Sequence, residues 1–266
     1  MSNKVPFIRT LAATVAVIGS AGAAQAAPVQ VTVKVDNLAP ANSVSFAPLR
    51  VGFNNGSFDA FNLGGVATAP IVSVAEGGSG ADWFPAFAAA DPTAVLGTVL
   101  PSPAGPLLPG GSGTMTFTVD PTVNRFFTFA AMVVPSNDFF VGNDNPMEYQ
   151  LFNAAGMLQL SSIGVRANEV WDAGSEVFDP AAAAFVGNNG LRTEQNSVVA
   201  FNFAEFAGFN GLTTGPGYVF NSQLTKDSEI YRISFSVAAV PEPQTYALML
   251  AGLVAVGAVA RRRRVA

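Results

Sequence analysis

Alternation of apolar and polar residues with a period of two is the feature that most limits the fold of this chain. Successive side chains of a strand point to opposite sides, so such a segment buries one face. Clusters of Gly, Pro, Asn and Asp separate the segments and mark turns. The strands predicted on this basis are Val29 to Val35, Met115 to Val119 and Ile230 to Val237. Further candidate strands are Phe126 to Val134, Glu148 to Phe152, Met157 to Leu160 and Val198 to Phe203.

Many short strands with turn-rich connections and one core predict an all-β protein, a single antiparallel β-sandwich. The only helix expected outside the two tails is Ile71 to Ala75 with its neighbours. The Pro- and Gly-rich segment Pro101 to Gly113 is interpreted as a stiff surface connection between strands, not as a linker between domains. We therefore expect residues 27–239 to form one domain with a substantial core.

The first 26 residues have the layout of a secretory signal peptide. Lys4 and Arg9 form a basic start, an apolar segment of small residues follows, and Ala24-Gln25-Ala26 is typical of a cleavage site. Residues 1–26 are thus predicted to be removed, and the mature protein is expected to begin at Ala27.

The last 27 residues combine a helix breaker, an apolar segment and a basic end. Pro241-Glu242-Pro243 precedes an apolar run from Tyr246 to Ala260, and Arg261 to Arg264 follow it. A 15-residue helix is about 22 Å long, so this predicted transmembrane helix is a marginal span for a hydrocarbon core of about 30 Å. The positive-inside rule places the arginines in the cytoplasm and the rest of the chain outside.

This arrangement over residues 240–266 resembles the PEP-CTERM sorting tag of Gram-negative bacteria. The resemblance implies that an exosortase, a membrane enzyme, cuts near Pro241-Glu242-Pro243 and releases or re-attaches the exported protein. The expected location is the cell surface or the extracellular space after transient anchoring in the inner membrane by the C-terminal helix. The alternative is a tail anchor that stays in the membrane.

Removing both tails makes the remaining chain strongly acidic. Six of the 13 Lys and Arg residues and one of the 18 acidic residues lie in the tails, which leaves 7 basic and 17 acidic residues, a formal charge of −10. Such a surface repels nucleic acid and anionic lipid and favours divalent cations. The chain has no histidine and no cysteine, which excludes disulfides, thiol chemistry, His-based triads and zinc sites built on Cys or His.

Acidic residues crowd into two predicted loops. In the stretch of about forty residues that contains these acids, the only basic residue is Arg166. If the loops converge, like charges raise the carboxyl pKa values and favour a bound cation, and calcium accepts carboxylate, carbonyl and water oxygens. Scattered loop acids are more often solvated, so spacing alone leaves both interpretations open. The acids concerned are Asp138, Asp144, Asp172, Glu176 and Asp179.

The segments around these acids, residues 132–142 and 171–176, resemble the two signature segments of the spondin N-terminal domain. The family's antiparallel β-sandwich binds calcium through aspartates in these loops, which implies Asp138, Asp172 and Glu176 as metal ligands here. Glu176 departs from the family, whose animal members have aspartate at that position, and their disulfide cysteines are absent. Glu76, in a segment that resembles the domain's helical part, is interpreted as a helix-end residue beside a turn rather than as an adhesive carboxylate.

Two functions follow from these observations. The first is a non-enzymatic adhesive or structural module with a calcium ion, sorted by exosortase to the cell surface or to the exopolysaccharide and biofilm matrix, with extracellular polysaccharide or surface proteins as partners. The second is a secreted hydrolase that uses paired carboxylates on matrix polysaccharide, which requires no histidine. The first is favoured, because no carboxylate pair lies in an aromatic-lined strand setting; Trp83 and Trp171 are the only tryptophans.

Overall fold

The computed structural model describes residues 27–186, 189–201, 203–240 and 250–253. This part of the chain is mostly β, with two α-helices, the helical residues 250–253 and short 3-10 segments. The strands are β1 (Val29–Asn37), β2 (Ser45–Phe46), β3 (Leu49–Asn54), β4 (Val95–Val99), β5 (Ser112–Val119), β6 (Phe126–Val134), β7 (Phe139–Gly142), β8 (Ser162–Arg166), β9 (Trp171–Asp172) and β10 (Glu229–Ala239). The helices are α1 (Ala69–Gly77) and α2 (Trp83–Ala90).

The strands form two antiparallel sheets. The four-stranded sheet has the order β5-β1-β10-β8, and the second sheet has the order β4-β3-β6-β7-β9, with β2 also pairing with β6. In β1 the alternation places Val31, Val33 and Val35 in the core, as the sequence predicts. The Phe53 ring of one sheet lies 5.2 Å from the Phe117 ring of the other, and residues of both sheets share one hydrophobic cluster.

Strand β6 is buried on both faces rather than on one. Phe127, Phe129, Ala131 and Val133 belong to the cluster shared by the two sheets. The opposite face is covered by α1 and its neighbours, so that every residue from Phe127 to Val134 is buried. A helix layer therefore supplements the two sheets on this side.

The start of β1 and the end of β10 lie side by side. Val29 pairs with Ala239, and the register continues to Asn37 opposite Tyr231. The Tyr231 ring lies 4.4 Å from Phe46, which pairs with Val133 near the end of β6. The connection from β6 to β7 is thus at the end of the sheets opposite to Val29 and Ala239.

Three predicted strands are wrong. Glu148 to Phe152, Met157 to Leu160 and Val198 to Phe203 form only isolated bridges. In the first, Leu151 N and Phe152 N both donate to Arg125 O, at 2.8 and 3.1 Å, a shared acceptor that no regular ladder provides. In the last, the chain enters a 3-10 helix, Phe203–Phe209, which buries Phe206 and Phe209.

The helix and connection predictions also need correction. Helix α1 contains the predicted segment Ile71 to Ala75. The chain also forms α2, a helix that the sequence pattern did not predict. Its Phe87 ring packs so closely on β3 that a Cβ at Gly52 would lie 2.3 Å from it. The segment Pro101 to Gly113 is not wholly a surface connection, because Leu107 is buried and exchanges backbone hydrogen bonds with Phe46.

The predicted signal peptide over residues 1–26 lies outside the described residues. So does most of the predicted membrane helix over residues 246–260, of which 250–253 are described and are helical. Among the helices that the structure describes, none has the length and apolar character needed to cross a membrane.

Candidate functional site

Asp138 is held at the end of a tight turn between β6 and β7. Ser136 Oγ donates to Val133 O at 2.6 Å and accepts from Phe139 N at 3.0 Å, which fixes the turn. Asn137 secures it to the following loop through Asp179, whose N–H donates to Asn137 Oδ1 at 3.1 Å. The turn therefore presents the next side chain, Asp138, to the segment around Trp171 to Glu176.

The carboxylate of Asp138 organises that segment. Asp138 is only 1% exposed, and its Oδ2 accepts from Ser175 N at 2.7 Å, Ser175 Oγ at 3.1 Å and Glu176 N at 3.0 Å. Its backbone oxygen accepts from Ala173 N at 3.1 Å. A buried carboxylate requires such partners, so the two loops with the sequence signatures are joined through this residue.

Asp172 lies beside Asp138. Strand β9 pairs Asp172 with Phe139, the residue after Asp138, and the charge of Asp138 acts on the Asp172 carboxyl group. Asp172 Oδ1 accepts from Gly174 N at 2.7 Å. Gly174 has a φ of +65°, and a Cβ there would lie 2.8 Å from Val198 O, so the turn requires glycine.

Glu176 is buried and only partly paired. Its side chain is 3% exposed, and Oε1 lies 3.0 Å from Arg192 Nη1. Within the part of the chain that the structure describes, Oε2 is buried without a hydrogen-bond partner. A buried carboxylate oxygen without a donor costs free energy, and the neighbouring carboxyl group of Glu76 supplies a donor only when one of the two groups is protonated.

Two acids of the cluster, Glu76 and Glu205, and the base beside them, Arg192, were not among the predicted site residues. Glu76 lies at the C-terminal end of α1, beside the left-handed Gly78, and contacts Arg192. Arg192 Nη2 donates to Glu76 O at 3.0 Å, and Arg192 Nη1 lies 3.8 Å from Glu76 Oε2. Glu205 is near enough to influence Asp172. Arg192 could have been noticed, because it is the only Lys or Arg between Arg166 and Lys226.

Burial and mutual repulsion raise the pKa values of these carboxyl groups. Burial, followed by the charge of Asp138, raises the pKa of Asp172 to about 7. Burial also raises the pKa of Glu176 to about 7, where Arg192 opposes the shift and Glu76 and Asp138 add to it. The pKa of Asp138 is raised by burial and by Glu76, against its three hydrogen bonds. The cluster thus has more negative charge than Arg192 neutralises.

The structure separates two of the predicted acids from this cluster. Asp144 Oδ1 accepts from Leu63 N at 2.8 Å in another loop. Asp179 caps a 3-10 helix, accepting from Ala181 N at 2.9 Å. The crowd of five acids expected from the sequence is therefore a different set: Glu76, Asp138, Asp172, Glu176 and Glu205.

The carboxylate oxygens of Asp138, Asp172 and Glu176 meet some of the requirements of a site for a hard cation. The charge of Asp138 acts on Asp172, and Glu176 has a buried oxygen without a donor; such carboxylate oxygens are ligands of the kind that calcium takes. In residues 27–186, 189–201, 203–240 and 250–253, however, no three carboxylates are arranged as a ready metal centre. Glu176 Oε1 is bound to Arg192, so that calcium coordination by all three acids requires Glu176 to move.

Residues 239–264 match the PEP-CTERM protein-sorting motif, and this match includes Pro241, Glu242 and Pro243. The motif indicates a protein targeted to exosortase, associated with the membrane during processing and exported to the cell envelope or surface. No curated protein matches the chain.

Proposed function

We propose that this protein is a non-enzymatic, calcium-binding adhesive or structural module of the cell surface or extracellular matrix. It is exported by a signal peptide over residues 1–26, anchored transiently by the C-terminal helix, and processed by exosortase. Residues 27–239 form a single spondin-like β-sandwich, and its partners are extracellular polysaccharide or surface proteins. The sorting motif at residues 239–264 is the observation that carries the surface assignment.

Two observations support the sandwich. Core rings of the two antiparallel sheets are in contact, as Phe127 and Phe235 are at 4.8 Å between centroids. The two loops that resemble the spondin signature segments meet around Asp138. A single site formed by both loops requires this contact between them.

Three features support calcium at this cluster. Asp138 and Asp172 have adjacent carboxyl groups, Glu176 has an unpartnered buried oxygen, and the exported part has a formal charge of −10. A divalent cation offsets the repulsion that raises the pKa values of these groups. Asp138, Asp172 and Glu176 would hold the ion together with backbone carbonyls and water.

The hydrolase remains the second candidate from the sequence, and no observation favours it. A glycosidase keeps its two carboxyl groups about 5 Å or more apart across a sugar cleft. Asp138 is instead fully buried beneath the loop, where it is not open to a sugar ring. The proposed role is therefore binding and structural.

Intact mass of the protein recovered from the cell surface tests the sorting part. The mature chain should lack residues 1–26 and the tail from about Pro241, because an uncleaved apolar tail keeps the chain in the inner membrane. Replacing Pro241 and Pro243 by alanine should retain the chain at the membrane. Recovery of peptides with Arg261 to Arg264 from the mature surface fraction contradicts exosortase processing.

A further inference from the structure

Arg192 makes three contacts with the carboxylate cluster. Nη1 lies 3.0 Å from Glu176 Oε1 and 3.8 Å from Glu76 Oε2, while Nη2 donates to the Glu76 backbone oxygen at 3.0 Å. The last contact satisfies a carbonyl at the C-terminal end of α1, where a cation is also favoured by the helix dipole. One guanidinium thus joins α1 to the loop that contains Glu176.

The position of this guanidinium resembles that of a bound cation. Glu176 is 3% exposed, and Arg192, at 23%, borders an open depression of about 550 Å³ together with Glu76 and Asp82. Arg192 is therefore accessible to ions from solvent, while the carboxylate that it neutralises is not. Its single charge leaves Glu176 Oε2 without a partner in the described structure.

We infer that Arg192 is a built-in counter-ion that occupies Glu176 in the metal-free protein and competes with a divalent cation for that carboxylate. This inference rests on the calcium binding proposed above. The 3.0 Å contact keeps Glu176 Oε1 on Arg192, so that this oxygen reaches an ion only when the ion replaces the guanidinium. Arg192 is thus a positioning residue that sets the affinity of the site.

The test compares calcium titration and thermal unfolding of wild type with those of Arg192→Gln. Removing the competing charge should tighten calcium binding by about tenfold, because two like charges a few ångströms apart repel strongly near a buried site. The metal-free melting temperature should fall, because Glu176 loses its partner. Arg192→Lys keeps the charge and should restore wild-type affinity, which a purely structural role of the guanidinium would not produce.

Arg232→Gln is the matched control, because it removes the same charge from an exposed ion pair with Glu229. Arg232→Gln should leave the calcium affinity and the metal-free melting temperature at wild-type values. Equal calcium affinity in Arg192→Gln and wild type overturns the inference but leaves calcium binding intact. Binding by Arg192→Gln alone supports competition and overturns calcium binding by the wild type. No binding by either overturns both.

Discussion

Asp138 connects the two loops of the candidate site, and its neighbours determine what substitution there can reveal. Because Asp138 Oδ2 accepts three hydrogen bonds, its replacement disturbs the fold of the Trp171 to Glu176 segment. The Asp172 carboxylate accepts one hydrogen bond, from Gly174 N. An asparagine at position 172 retains an acceptor oxygen, so Asp172 is the better probe of the site's charge.

Asp172→Asn should abolish most of the calcium-induced rise in melting temperature and leave the metal-free protein folded. It removes one of several repelling charges, so the metal-free protein should be as stable as wild type or more stable at pH 8. Asp144→Asn is the control, since Asp144 accepts from Leu63 N away from the cluster. A full calcium response in Asp172→Asn would exclude this residue as a ligand.

The raised pKa values of Asp172 and Glu176, both about 7, predict a pH dependence of stability in the absence of metal. Between about pH 4 and pH 7 the folded state binds more protons at these groups than the unfolded state does. Their contribution to the free energy of unfolding therefore declines as pH rises through this window. Melting temperatures in a chelator at pH 5 and pH 8 should differ less for Asp172→Asn than for wild type; equal differences contradict the assignment.

At the scale of elements, the strands with clear alternation could be predicted and the others could not. β1, β5, β6 and β10 have four or more residues in a period-two or continuous apolar pattern, and all four are present. β9 has two residues, and its pairing with β7 depends on contacts with distant parts of the chain. Helix α2 contains Pro85, a residue that disfavours helix interiors but is tolerated in the first turn of a helix, so local composition does not indicate this helix.

The candidate site could be predicted only as far as its loops. Asp138, Asp172 and Glu176 lie in segments with recognisable sequence patterns, and the structure brings these segments together. Glu76 and Arg192 come from elements far away in sequence, so that spacing cannot reveal their contact at 3.8 Å. Arg192 lies beyond Asp179, outside the stretch of sequence in which the acids crowd.

The turn at Gly174 is the element on which the geometry of the site depends. Gly174→Ala should destabilise the metal-free protein by more than Gly211→Ala, for which the left-handed conformation costs about 1 kcal/mol. Both residues have positive φ, but a Cβ at 174 meets Val198 O at 2.8 Å, whereas at 211 it meets open space. Thermal unfolding measures the difference. Equal losses would show that the loop adjusts freely and does not fix Asp172.

At the scale of the whole molecule, Ala239, where the sorting match begins, and the carboxylate cluster lie at opposite ends of the sheets. Val29 and Ala239 pair at one end, and the sorting match begins at residue 239. The turn that carries Asp138 follows β6 at the other end, near Phe46 and Tyr231. The proposed anchoring through the C-terminal segment would therefore place the proposed calcium loops at the end of the sheets remote from the membrane.

Calcium titration of residues 27–239 by calorimetry, with thermal unfolding as a second reading, tests the central claim most directly. If the ion binds only the folded state, the free energy of unfolding should rise by about 2.7 kcal/mol at a hundredfold excess of calcium over Kd. Magnesium should have much less effect, because its small octahedral shell dehydrates reluctantly. Absence of calcium binding to wild type at millimolar concentration, with no change in melting temperature, would contradict the account.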